Sequence, residues 1–407
     1  MRPLDDIVVL DLSRVLAGPY ASMALADMGA RILKIEEPGK GDDTRAFGPP
    51  FAGEPTLNGR GESTYFMSVN RGKESITVDM KHPRGKELIR RLAMKADVVL
   101  ENFRPGVLIK LGLGPDDLRS LNPRLICCSI SGYGTAGLPE YSSKPGYDPV
   151  AQGLGGLASV TGAKDGEPFK AGFSIADVTA GMLAVQGILL ALYARTRTGR
   201  GQTVDISLLD GQVSLMAYHS TSTGFTQKAP TRHGNGHPNI VPFGTFKAAD
   251  GYLTIGVAND GLFKTFATLC GKPQWLDDAR FQTNAARVEN RVAMEEEVAP
   301  IVVTRTVEAW VKLLDGAGIP AGPVLNVWQA MNHPQVRARG MVVETQHPTA
   351  GTIRMTGVPV KLSGTPGEPR GRPPLLGEHT ESALRDVLGL NGSEFDELKK
   401  SGALGNR

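Results

Sequence analysis

The first 130 residues alternate between two hydrophobic periods. "DIVVLDLS" (6–13) is a continuous apolar run rich in β-branched residues, the pattern of a strand buried on both faces. "AGPYASMALADMGA" (17–30) then predicts a helix, with Pro19 near its start and Gly29 at its end. "RILKIEEP" predicts a second strand, "PRGKELIRRLAMKA" an amphipathic helix, "DVVLENF" a strand, "PDDLRSLN" a short helix and "RLICCSISGYG" a further strand. Such β-α-β alternation predicts an α/β fold with a parallel, doubly wound sheet. A long apolar helix over 178–195 follows, and "GQTVDISLLDGQVSLMAYHS" adds a strand and a helix.

Between 221 and 242 the pattern breaks into a stretch rich in Gly, Pro, Thr and His, expected to be a linker or functional loop. Beyond it a different unit begins. "GTFKAADGYLTIGVAND" reads as a hairpin, helical patterns run from 261 to 316, and "MVVETQHPTAGTIRMTGVPVKLSG" reads as another hairpin. The expected layout is a large α/β domain over 1–220, completed by 335–407, with a linker and a small α+β domain over 221–334.

Composition narrows the function. At 407 residues the chain can bury one large core or two. A net charge of +3 argues against a nucleic-acid platform, although basic clusters stand at 194–201 and 336–340. Cys127, Cys128 and Cys270 form neither a disulfide framework nor a zinc pattern. Among the seven histidines only His233 and His237 approach metal-ligand spacing, and they sit in a loop, so no metal is expected. The N-terminus carries no signal-peptide pattern, and the longest apolar run, 14 residues, is short for a membrane span, so a cytoplasmic protein is expected.

The first strand–turn–helix reads "SRVLAGP" and lacks the GxGxxG of dinucleotide enzymes, so Glu36 only imitates their ribose-binding acid. Walker A, HExxH and GxSxG are absent too. What stands out is Asp177 in "KAGFSIADVTAGMLAVQG". An Asp before an apolar helix is an ordinary N-cap. Yet a helix N-terminus favours the ionised carboxylate, which can attack an activated acyl group, and Gly172 and Gly181 would let a bulky ligand approach. The residues alone leave both roles open.

Several segments in order, "VLDLSRVLAGP", "GARILKIEEPGKGDDTR", "SVNRGKESITVDMK", "ADVVLENFRPGVLIKLGLG", "TGRGQTVDISLLDG", "GIPAGPV" and "PLLGEHT", carry a resemblance to the family III CoA-transferases, the formyl-CoA and carnitine CoA-transferase group, from about residue 5 to 385. The resemblance implies that Asp177 is a covalent nucleophile and that coenzyme A is a substrate, with no further cofactor. Val15, Leu16, Ala17, Asn102 and Phe103 match CoA-contacting segments, though Leu16 and Pro38 stand where some members have Gln and Arg. Lys73, Arg104, Lys110 and Lys144 are candidates for the CoA phosphates. Gly234, Asn235 and Gly236 are candidate oxyanion donors. Arg45, Tyr147, His233 and His237 are candidates to hold a dicarboxylate such as glutarate or itaconate, the acceptor class of the branch that the chain looks most like, with succinyl-CoA as donor. The related α-methylacyl-CoA racemases use a His where Tyr147 stands, and a neutral phenol is a poor base near pH 7, so an epimerase is the alternative. A non-catalytic CoA-binding protein is a third possibility. The family fold also implies an interlocked homodimer.

Overall fold

The computed structural model describes residues 1–55 and 59–405, which group into two compact units. The first comprises 1–157, 171–221 and the chain from 334 onward. Its centre is a six-stranded sheet of β1 (Val8–Asp11), β2 (Arg31–Glu36), β3 (Lys73–Thr77), β4 (Val98–Glu101), β5 (Ile126–Ser131) and β6 (Thr203–Ser207). The strands run in the order β3-β2-β1-β4-β5-β6, and every pairing is parallel. The continuous apolar runs follow from this: Val9, Leu10, Leu33, Val98 and Ile126 are buried, and successive residues feed cores on opposite faces of the sheet.

On one face pack the helices α1 (Ala17–Asp27) and α2 (Ile175–Thr198), with Ala21, Leu25, Ala180, Ala184 and Ile188 in a shared core. The expected 178–195 helix is thus longer, at 24 residues, and starts before Asp177. On the other face lies the helix Pro83–Ala93, whose Leu88, Ile89 and Leu92 meet the C-terminal helices through Leu384 and Phe395.

The C-terminal segment also covers the outer edge of β3. His379 N–H donates to Ser75 O (3.0 Å), Thr77 N–H to Thr380 Oγ1 (3.0 Å) and Gly377 N–H to Ser75 Oγ (2.8 Å). Just past the strand, Asp79 N–H donates to Ala403 O (2.8 Å). The antiparallel hairpin of Val342–His347 and Gly351–Thr356 belongs to this unit.

The second unit holds 158–170 and 222–333. Its three-stranded antiparallel sheet (Phe243–Lys247, Tyr252–Gly256, Ala321–Pro323) packs on helices around Phe263, Phe266, Trp275, Phe281 and Trp310. Residues 158–170 join it through Arg232, whose guanidinium donates to the carbonyls of Ser159, Ala163 and Gly166, and through Gly234 N–H, which donates to Gly162 O. The stretch expected to be irregular from 221 begins as helix: Ala217–Thr226 stays helical, its hydroxyls bonding back to carbonyls four residues earlier, as Thr226 Oγ1 does to Ser222 O (2.8 Å).

Candidate active site

Asp177 is the third residue of α2, not its cap. The helix follows Ser174, whose side chain caps nothing. The capping carboxylate comes from elsewhere: Asp148 Oδ1 accepts the N–H of Ala176 at 2.8 Å. Asp148 Oδ2 accepts from Gln152 Nε2 (2.7 Å), and Gln152 Oε1 accepts from Ala171 N–H (2.7 Å). Both residues are buried, so the approach to Asp177 is fixed at both ends. With the first-turn donor satisfied by Asp148, the Asp177 carboxylate is left to other work. Burial, and behind it the like charge of Asp148, push its pKa up to about 7, overriding the helix dipole.

Gly181 fixes where α2 lies. A Cβ there would stand 2.7 Å from Ala17 O and 2.9 Å from the Tyr20 ring, so only glycine lets α2 approach the start of α1 this closely. Asp177 sits one turn earlier on that same side. Beside it is Tyr65, a residue that no sequence signal singles out. Its phenol hydrogen-bonds to Ser174 and lies in the fields of Asp177 and Asp148, and burial above all raises its pKa.

A cavity of about 330 Å³ opens at the carboxyl ends of β1, β2 and β4. Leu12, Ser13, Arg14, Asp42, Phe103 and Arg104 are among its walls, with Lys81. Sheet order reverses between β1 and β4, the topological position where open α/β sheets bind ligands. The adjoining turn is held by side chains: Asn102 Oδ1 accepts from Arg14 N–H (2.9 Å), and its Nδ2 donates back to Arg14 O (2.6 Å). The structure therefore places Phe103 and Arg104 on the cavity wall and Asn102 against Arg14, the residue before Val15, while Ala17 is buried in the core, and it adds Arg14 and Lys81, cations that sequence reasoning passed over.

Comparison with known proteins decides between the readings. The model of "CoA-transferase family III" matches residues 4–380. The chain belongs to this family. It is 42% identical to the succinate–glutarate CoA-transferase of Agrobacterium fabrum, over 95% of this chain and 96% of that one. It is 39% identical to the mouse succinyl-CoA:glutarate CoA-transferase, over 99% of this chain and 91% of that one. A crystal structure of a CAIB/BAIF family protein from Brucella suis superposes with a TM-score of 0.84 at 39% identity, covering 95% of this chain and 99% of that one. The protein is thus a family III CoA-transferase, an enzyme with CoA as substrate.

For such an enzyme two expected contacts need correction. Lys73 is fully buried, with Nζ bonded to Pro19 O (3.0 Å), Asn70 Oδ1 (2.9 Å) and Asp11 Oδ2 (3.3 Å). Desolvation lowers its pKa to about 7, and it cannot reach a phosphate in solvent. Arg45 forms a bidentate pair with Glu36 (2.8 Å each) and stacks on Phe66 at 3.6 Å, so its charge is committed inside the fold rather than offered to a dicarboxylate. Glu36, the apparent ribose-binding acid, is the other half of that pair.

Lys110 is exposed at the end of the short helix Val107–Lys110. Lys144 is exposed with Nζ 3.8 Å from the Tyr141 ring centre. Tyr147 immediately precedes Asp148 and is 66% exposed. His233, Gly234, Asn235, Gly236 and His237 belong to the second unit. There Gly236 N–H donates to His233 O (2.9 Å), and Gly234 N–H is spent on Gly162 O, so neither glycine amide is an open oxyanion donor in this structure.

Proposed function

We propose that this enzyme moves CoA from succinyl-CoA to a dicarboxylate, glutarate being the first to test, through Asp177 as covalent nucleophile. The ionised carboxylate attacks the thioester carbonyl, forming a mixed aspartyl–succinyl anhydride and releasing CoA thiolate. The thiolate attacks the Asp177 carbonyl, giving an aspartyl-CoA thioester and free succinate. The acceptor carboxylate attacks this thioester, yielding a new mixed anhydride and CoA thiolate. Attack of that thiolate on the acceptor's acyl carbonyl releases the product acyl-CoA and restores Asp177.

The observation that carries this is the position of Asp177: in the first turn of α2, relieved of capping by Asp148 and under-solvated. A carboxylate made more basic by its surroundings is a stronger nucleophile once ionised. The names of the relatives support the choice of substrates. The cavity at the ends of β1, β2 and β4 is proposed to take the nucleotide end of CoA, with Arg14, Lys81 and Arg104 as phosphate partners.

The test is intact mass after brief exposure to succinyl-CoA. Wild type should gain a CoA-sized adduct that glutarate discharges, and Asp177→Ala should gain none. Its formation should slow as pH falls through about 7, because only the ionised carboxylate attacks. Absence of any adduct, together with deuterium exchange at the α-carbon of an acyl-CoA, would replace the transferase mechanism by proton transfer.

A homodimer is part of the proposal. Met182, Leu189, Leu190 and Tyr193 on α2 are more than 40% exposed, as are Val150, Leu154 and Val213 of the same unit. A second copy covering this face would account for so much apolar surface. Light scattering should give twice the chain mass of 43.3 kDa.

A further inference from the structure

Val15 has φ +70, in the left-handed region that a β-branched residue rarely occupies. Such a conformation persists only where the surroundings impose it. Here they do so from both sides. Val15 N–H donates to Asp42 Oδ1 (3.1 Å), in the loop that follows β2. Arg14, one residue earlier, has both its N–H and its C=O bonded to the Asn102 amide, just past β4. Ser13 O accepts from Lys34 Nζ (3.0 Å), which pairs with Asp42 Oδ2 at 2.9 Å, and both charged groups are essentially solvent-free. Burial alone would favour neutral Lys34 and Asp42, but their mutual attraction prevails: the Asp42 pKa falls to about 2 and that of Lys34 rises. The Arg14 guanidinium pairs with Asp43 (3.0 Å). Because β1 lies between β2 and β4, the turn after β1 is gripped by the loops that follow its two neighbours.

We propose that Asp42 and Asn102 are positioning residues for coenzyme A: they hold the Val15 turn in its strained form, so that one wall of the cavity is preformed before CoA arrives. Preformation of a binding surface lowers the ordering cost of association. The inference rests on the assignment of this cavity to CoA.

Calorimetric titration of the full chain with free CoA tests it. Asn102→Ala is expected to weaken CoA binding about tenfold, the size of an ordinary coupling between contacting residues. Val15→Gly accepts φ +70 without strain, so in that background the same Asn102→Ala change should cost no more than about twofold. An equal loss in both backgrounds would mean that Asn102 acts on CoA directly and would overturn the proposal. So would unchanged affinity in Asn102→Ala, which would make the clamp merely structural. Asp42→Ala removes the acceptor of Val15 N–H and should weaken CoA binding at least as much as Asn102→Ala. If the Asp42 variant fails to fold, the Asn102 series decides, since its side chain is partly open to solvent. A wild type that neither binds CoA nor forms the adduct would overturn the transferase mechanism itself, and this inference with it.

Discussion

At the scale of single residues, the reactivity proposed for Asp177 carries a cost in stability. The folded protein holds the Asp177 proton up to about pH 7, whereas an unfolded chain releases it near 3.8, the ordinary value for an aspartate. Between those values the folded state binds more protons, so this group's contribution is fullest below 3.8 and declines as pH rises towards 7. Asp177→Asn should therefore stabilise the protein at pH 8 by roughly 1–3 kcal/mol, discounted for partial exposure, and by nothing at pH 4. Urea denaturation at the two pH values measures this. Tyr65→Phe removes one hydrogen bond to Ser174 at constant volume. Adduct formation should slow about three- to tenfold while the melting temperature changes little. The sequence made Asp177 visible as a carboxylate at a helix start. It did not reveal that the cap is Asp148, 28 residues before the amide it serves, because a capping bond of that span leaves no local pattern.

Elements decide where that carboxylate points. Gly181→Ala puts a methyl against the Ala17 carbonyl, a backbone atom that cannot swing aside. Separation of α1 from α2 should cost about 1–3 kcal/mol and displace Asp177, so a lower melting temperature and loss of adduct should appear together. Asp148→Ala removes the helix cap and should cost about 1–2 kcal/mol. The elements themselves were legible: β1 and β4 begin in apolar runs, β2 and β5 are apolar stretches bounded by turn residues, and the helices between them carry clear periodicity and punctuation. The fate of the charged residues that pair with those strands was not. Lys73 and Arg45 look like surface cations because their partners Asp11 and Glu36 become neighbours only once the sheet has formed.

At the scale of the whole molecule, parallel order followed from the alternation of strands and helices, but the covering of β3 did not. The groups that cover it are scattered side-chain and backbone donors, without the apolar period that marks a strand. They also lie far away in the chain, Gly377 being 302 residues beyond Ser75. A ribosome therefore completes β3 long before it makes the segment that shields it. Throughout that interval the nascent chain carries an open row of backbone donors and acceptors, the kind of edge that recruits other chains. Release of a chain truncated before residue 375 should yield aggregate rather than soluble protein, and a holdase chaperone supplied during translation should raise the yield of the full-length enzyme.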